Sequence, residues 1–253
     1  MPRVFENLAD WQKERARLDT AGNTIGFVPT MGALHAGHRS LLERARVEND
    51  YVVLSIFVNP TQFDDPTDLT RYPRTQEADL ALAEGLADCV LMPAAKELYP
   101  DDYRYRVTEY NLSTRWEGQQ RPGHFEGVLT VVLKLLNLVR PQRAYFGEKD
   151  WQQLQLVRGM VLSLFLPVEI VACSTVREAD GLALSSRNRR LSPAGRVQAA
   201  AFSRILRQSP DAATAAEALR GAGFGVDYVE DYNGVRLGAV RLEGVRLIDN
   251  VQR

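Results

Sequence analysis

Two histidines, spaced as His35-Ala36-Gly37-His38, stand where a short β-prone run gives way to an amphipathic helix. They are two of only three histidines in 253 residues. This spacing puts two imidazoles about one turn apart at a helix start, where both can face one ligand. Free N–H groups and the positive end of the helix dipole favour phosphate there, and Gly37 permits close approach of the backbone. Two other readings use the same residues. The rings could simply satisfy backbone groups in the turn, or they could begin a zinc site, for which only His124, Cys89 and Cys173 remain as further ligands.

Three further polar clusters could do chemistry. Asn59-Pro60-Thr61-Gln62-Phe63 follows an apolar run. Asn59 and Gln62 can orient a small polar substrate by hydrogen bonds; the plainer reading is an Asx-turn with a solvated Gln. Gly147-Glu148-Lys149-Asp150 precedes Gln152 and Gln153. Lys149 can bring a point charge to phosphate and Asp150 is placed to cap the next helix, against the reading of a capped helix with an exposed Lys. Leu184-Ser185-Ser186-Arg187-Asn188 offers two hydroxyls and a guanidinium fork suited to phosphate oxygens, or else a solvated linker. Arg121-Pro122-Gly123-His124 is a weaker cluster. No Walker-type GxxxxGK[ST] occurs, and no G-x-G-x-x-G follows a strand, so a bound nucleotide must be held another way.

The elements that must position these residues alternate. An opening helix is expected over 5–19. Strands follow at 24–28, 51–58, 89–92, 144–146 and 168–172, with helices at 38–48, 75–86, 125–139 and 151–165 between them. The Pro-rich loop over 59–74 is long enough to be functional. Residues 93–122 are rich in Tyr, Asp and Arg, with one weak strand at 103–108. Strands separated by helices imply a parallel sheet with right-handed crossovers. The expectation is an α/β protein whose residues 1–174 form a doubly wound, Rossmann-like domain. If its first two strands are parallel neighbours, Pro29-Thr30-Met31 and Asn59–Gln62 share one carboxyl edge, where ligands of open α/β sheets bind. Residues 175–253 change in texture: a polar segment, helices at 192–207 and 211–222, and short strands over 226–251 around an Asn233-Gly234 hairpin signal. They read as a smaller α+β domain.

Bulk properties agree with a globular chain, 45% hydrophobic and 25% charged. A formal net charge of −1 argues against a general nucleic-acid binder. Cys89 and Cys173 are far apart in apolar runs and read as buried free thiols. No signal peptide pattern opens the chain. No apolar run approaches the roughly 18 residues of a membrane helix. A cytoplasmic location is the default.

Several motifs in order carry a resemblance. PTMGALHAGHRSL (29–41), SIFVNPTQF (55–63), RYPRT (71–75), RPGHFEGV (121–128), FGEKDWQQL (146–154) and VREADGLALSSRN (176–188) are similar to the pantothenate synthetase (pantoate–β-alanine ligase) family. The tail RLIDNV (246–251) also fits. That family belongs to the HIGH-motif nucleotidyltransferases. The resemblance implies an enzyme that joins pantoate to β-alanine at the expense of ATP through a pantoyl adenylate, releasing AMP and pyrophosphate. It further implies Mg²⁺ bound through the ATP phosphates and a cytoplasmic homodimer.

Carried over by motif, Met31, Gly32, Ala33, Leu34, His35, Ala36, Gly37 and His38 hold ATP, with His38 as proton donor. Gly147, Glu148, Lys149 and Asp150 hold the nucleotide, Val176 contacts adenine, and Leu184, Ser185, Ser186 and Arg187 close on the phosphates. Gln62 and Gln153 bind pantoate; Gln62, with Asn59 and Tyr72, binds β-alanine. His35, His38, Lys149 and Arg187 are the catalytic set. Residues 205–245 look shorter than the family's usual C-terminal part, and the second domain is expected to act as a lid. Two rivals remain: an adenylyltransferase that keeps AMP in its product, and a nucleotide-binding module with no catalysis.

Overall fold

A computed structural model describes every residue, Met1–Arg253. The chain forms two compact units. The first comprises residues 1–34, 38–147 and 152–173; the second comprises 35–37, 148–151 and 174–253.

The first unit is built on six strands: β1 (Arg3–Phe5), β2 (Ile25–Thr30), β3 (Tyr51–Ile56), β4 (Cys89–Leu91), β5 (Arg143–Gly147) and β6 (Glu169–Cys173). All pair in parallel, in the order β1-β4-β3-β2-β5-β6. Between them run α1 (Leu8–Ala21), α2 (Ala36–Glu48), α3 (Pro66–Thr70), α4 (Gln76–Ala83), α5 (Ala95–Leu98), α6 (Glu117–Gln120), α7 (His124–Val139) and α8 (Trp151–Ser163). The side-chain period of two sorts each strand between two cores. Ile25, Phe27, Val53, Leu91 and Phe146 join α1, α7 and α8 on one face. Val28, Val52, Leu54, Val90 and Tyr145 join α2 and α4 on the other. This is the doubly wound arrangement expected of alternating strands and helices, and both cysteines are buried free thiols within it.

Strand order reverses between β2 and β5. Loops leaving the carboxyl ends of those two strands diverge at such a point and leave a crevice for a ligand. The register Thr30↔Ile56 puts the ends of β2 and β3 side by side.

Two sequence expectations are corrected. Phe5 belongs to β1, not to the opening helix. Asn7 accepts the N–H of Asp10 and starts α1 at Leu8, leaving Arg3–Phe5 to pair with β4. Three residues are too few to show a period. The strand expected at 103–108 is absent. Asp102 and Tyr103 both have positive φ, and the N–H of Val107 is taken by the Thr130 hydroxyl at 2.9 Å, not by a strand ladder.

The second unit packs α9 (Pro193–Gln208) and α10 (Ala212–Gly221) on an antiparallel sheet, β7 (Gly225–Tyr232), β8 (Val235–Leu242) and β9 (Val245–Gln252). Phe202, Leu206, Leu219, Val240 and Leu247 form its core. Asn233-Gly234 makes the expected tight turn, with φ of 49° and 76°. Glu243-Gly244 makes a second one with the same signs of φ. It carried no Asn or Asp to announce it.

Candidate active site

In the first unit, the loop after β2 is shaped by a buried carboxylate. Gly32 and Ala33 take φ of 80° and 52°, two left-handed residues in succession. Asp79 of α4 accepts the N–H of Ala33 at 3.0 Å and of Leu34 at 2.7 Å, and the Thr75 hydroxyl at 3.1 Å. The Thr30 hydroxyl donates to Ser55 O and accepts the N–H of Gly32. Met31 to Leu34 therefore run from the sheet edge to the start of α2, and His38 lies in that helix's first turn, half-buried.

The turn Pro60–Gln62 stands on the same carboxyl edge, after β3. Asn59 is fully buried. Its amide donates to Gln62 Oε1 at 3.0 Å and to Gly127 O at 3.2 Å. Its oxygen accepts the hydroxyls of Thr61 and Tyr99 at 3.0 and 2.8 Å. Burial pushes the Tyr99 hydroxyl up to about 12, so it stays a donor. With both polar atoms of the Asn59 side chain engaged, Gln62 is held Oε1 inward, and its Nε2 has no protein partner and is free to donate. Arg121 and His124 grip the backbone of the same residue, at 3.3 and 2.8 Å from Gln62 O. A carbonyl only accepts, so the His124 proton sits on Nδ1, and Nε2 accepts from Arg121 Nη1 at 3.1 Å. Tyr72 packs edge-on against Phe63, centroids 5.6 Å apart.

The two glutamines of α8 separate. Gln152 is buried and spent on the backbone of Leu112, Arg115 and Glu117. Gln153 is half-buried and its amide meets no protein group. Asp150 does not cap α8, because a 3₁₀ turn over Glu148–Asp150 runs straight into that helix. Gly147 ends β5 at the reversal of strand order.

In the second unit, His35 Nδ1 accepts the N–H of Gly37 at 3.1 Å. The ring is thus a neutral tautomer with Nε2–H as its donor. Burial, with the charges of Lys149 and Arg189 adding to it and Asp150 opposing, lowers its pKa to about 4. A Cβ at Gly37 would come within 2.9 Å of the ring's Cε1, so a side chain there would push the ring aside. Lys149 Nζ lies 3.5 Å from the Asp150 carboxylate. Asn250 Nδ2 donates to the carbonyls of Glu148 and Lys149 at 2.8 and 2.9 Å.

Val176 and Leu184 sit opposite each other in a small hairpin, the N–H of Leu184 donating to Val176 O at 3.0 Å. Ser185 caps a 3₁₀ helix, Ser186–Arg190, through the N–H of Arg187 at 3.3 Å. The hairpin is anchored by Arg177, whose guanidinium forks onto Asp249 at 2.7 and 2.9 Å.

Thus Met31–Leu34, His38, Asn59, Gln62, Tyr72, Gly147 and Gln153 belong to the first unit, and His35–Gly37, Glu148–Asp150, Val176 and Leu184–Arg187 to the second. Asp79 and Tyr99 carry no sequence signal of their own, and Asn250 has one only as part of the tail motif. Each acts on a neighbour distant in the chain.

The chain matches the sequence family described as Pantoate-beta-alanine ligase over residues 3–252. It is 54% identical over 253 residues to a pantothenate synthetase of Bdellovibrio bacteriovorus, covering 100% of both chains. It is 49% identical over 249 residues to one of Legionella pneumophila, covering 98% of each. These relatives have the chain's own length, so its compact C-terminal part is shared with them. Among solved structures, a pantoate-beta-alanine ligase of Francisella tularensis complexed with beta-gamma ATP and beta-alanine superposes with a TM-score of 0.94 at 39% identity, over 100% of this chain and 98% of that one. A pantothenate synthetase of Thermus thermophilus gives a TM-score of 0.89 at 44% identity, over 99% of each.

Proposed function

The chain belongs to the pantoate–β-alanine ligase family, and from that premise we propose that it condenses pantoate with β-alanine at the expense of ATP, through a pantoyl adenylate. The observation that carries the reading is a pairing on one sheet edge. A loop anchored by Asp79 leads into the helix of His38, and beside it stands Gln62, an amide whose oxygen is held by Asn59 and whose donor end is left for a substrate.

In the first step a carboxylate oxygen of pantoate attacks the α-phosphorus of ATP. A P–O bond forms, the α–β bridge breaks, and pyrophosphate leaves with the electron pair. Charge builds on the phosphorus oxygens and the leaving group. Donors fixed beforehand stabilise it most. His38 is assigned proton donation to the phosphate. His35, neutral with Nε2–H as its donor, is assigned to hold the nucleotide. Lys149 and Arg187 supply positive charge, with Ser185 and Ser186 as hydroxyl donors. Met31 to Gly37 and Gly147 to Asp150 line the nucleotide, and Val176 meets adenine. Gln62 and Gln153 donate to pantoate.

In the second step the amine of β-alanine attacks the acyl carbon, loses a proton, and expels AMP. Gln62 and Tyr72 are assigned to β-alanine. Asn59 is assigned to it through Gln62, because its own amide is occupied. Holding both acids on one edge supplies proximity. Shielding the adenylate from water is the role proposed for residues 175–253.

Mg²⁺ bound to the ATP phosphates would spread their charge. Glu148 and Asp150 are the carboxylates that would hold the ion's waters. No helix is long and apolar enough to cross a membrane. A cytoplasmic homodimer is the proposed state, on the family's pattern.

Pantoate-dependent exchange of labelled pyrophosphate into ATP, without β-alanine, tests the two-step course. Exchange is expected, and His38→Ala and Lys149→Ala should each lower it by on the order of a hundredfold or more. No exchange, or an adenylylated product that survives β-alanine, would refute the ligase reading.

A further inference from the structure

The tail motif Arg246–Val251 has no part in the chemistry above, yet it holds two buried polar residues, Asp249 and Asn250. We propose that Asn250 is a positioning residue for Lys149, acting through the backbone of the Glu148–Lys149 turn, with Asp249 and Arg177 holding Asn250 in register. The inference rests on the reading that Lys149 meets the phosphates of ATP.

The Asn250 amide spends both of its N–H bonds on two successive carbonyls, Glu148 O at 2.8 Å and Lys149 O at 2.9 Å. Two carbonyls drawn to one nitrogen leave the turn a single orientation. The direction in which the Lys149 side chain leaves the backbone is set with it. A lysine is a flexible point charge on a four-carbon stem, so its usefulness at a phosphate depends on where that stem is rooted.

Asn250 is in turn held on both sides of its own backbone. Its N–H donates to Asp249 Oδ1 at 2.8 Å, and its carbonyl accepts from Arg177 Nη2 at 3.0 Å. Asp249 is almost wholly buried and accepts both arms of the Arg177 fork, together with the Ser203 hydroxyl. Arg177 also donates to Gly181 O at 3.1 Å and pairs across the hairpin with Ala183. One buried network therefore sets two segments far apart in the chain, the Lys149 turn and the Val176–Leu184 hairpin. Buried charges left unpaired are costly, so this network has little freedom to take a second arrangement.

The experiment is the pyrophosphate exchange reaction of the full chain, with ATP and pantoate varied separately, for the parent, Asn250→Ala, Lys149→Ala and the double variant. Asn250→Ala is expected to lower exchange by about tenfold or more, the scale of a small misplacement at a reacting group. The loss should appear in the ATP dependence, with KM for pantoate close to that of the parent. In the Lys149→Ala background the same change should cost about twofold or less, because residues acting as one unit are not additive.

Normal exchange in Asn250→Ala, a loss that multiplies in the double variant, or an equal rise in the pantoate KM would overturn the inference. If Lys149→Ala itself kept full exchange, the assignment of Lys149 and the inference would fall together. A loss in Lys149→Ala with none in Asn250→Ala would remove the inference alone. Should Asn250→Ala not fold, Asn250→Asp keeps the shape but lacks both donors. It should show the same ATP-side loss near pH 8 and partial recovery toward pH 5, as its carboxyl regains one O–H. Normal exchange of that variant at pH 8 would also overturn the inference.

Discussion

The Asn59 amide donates to Gln62 Oε1 at 3.0 Å, and this bond decides which end of Gln62 is available to a substrate. Asn59→Asp removes the donor and sets a carboxylate against Oε1, so Gln62 should turn its N–H groups inward. KM for pantoate is expected to rise about tenfold, since a site built to donate to an acid loses the pairing, while KM for ATP holds. Steady-state kinetics with each substrate varied will check it, and an unchanged pantoate KM would refute it. Asn59→Ala should lower stability as well, by about 1–3 kcal/mol, because it strands buried partners that include the Tyr99 hydroxyl.

Gly127 is where α7 meets the Gln62 turn. A Cβ there would fall on the Thr61 carbonyl and lie 2.7 Å from the Gln62 backbone nitrogen. Both obstacles are backbone and cannot swing aside. Gly127→Ala should therefore destabilise the protein by about 1–3 kcal/mol and raise the pantoate KM together with it. Denaturant unfolding and kinetics on the same preparation read both. A stable variant with parental KM would show that the turn has slack.

Asp79 presents two oxygens to three donors, the N–H groups of Ala33 and Leu34 and the Thr75 hydroxyl. Asn at this position keeps one acceptor and turns an NH₂ toward a backbone N–H. The loop then loses the anchor for its two left-handed residues. Asp79→Asn is expected to lower stability by about 1–3 kcal/mol, and to depress exchange with ATP more than it changes the pantoate KM. An equal effect on both substrates would mean that Asp79 serves the sheet edge at large.

His35 gives a pH signature. Its folded pKa lies near 4, against 6.5 for the unperturbed ring, with burial the leading cause and Lys149 and Arg189 next. Above pH 6.5 the ring is neutral in both folded and unfolded chains. Between 6.5 and about 4 the unfolded chain binds a proton that the folded chain resists, so stability falls as pH drops through that window. The contribution is at most about 3 kcal/mol, reduced by screening because the ring is partly exposed. Denaturant unfolding at pH 7, 6 and 5 should show a steeper loss for the parent than for His35→Asn. Parallel curves would place the His35 titration elsewhere.

The candidate groups and the local elements were legible in the sequence because they are written in short spans. HxGH at a strand-to-helix junction, alternating strands and helices, and Asn233-Gly234 each depend on neighbours within one turn or one hairpin. The doubly wound sheet followed from the same periods. What lay beyond the sequence is everything that depends on a partner far along the chain. β1 is three residues whose pairing exists only because β4 is beside them. Val107 gave up a strand for a threonine hydroxyl on α7. Gln152 and Gln153 are indistinguishable as letters, and tertiary packing alone commits the first to the backbone of 112–117 and leaves the second open. Asn59 reads as a ligand in the sequence, and the fold spends its side chain on Gln62, Gly127, Thr61 and Tyr99. Asp79 reads as nothing in particular, and Asn250 only as one letter of a tail motif with no role attached. Hydrogen-bond geometry is a property of distances, and a chain sets its long-range distances only by folding. The sequence could therefore name the candidate groups, and the tertiary structure decided which residues hold them in place.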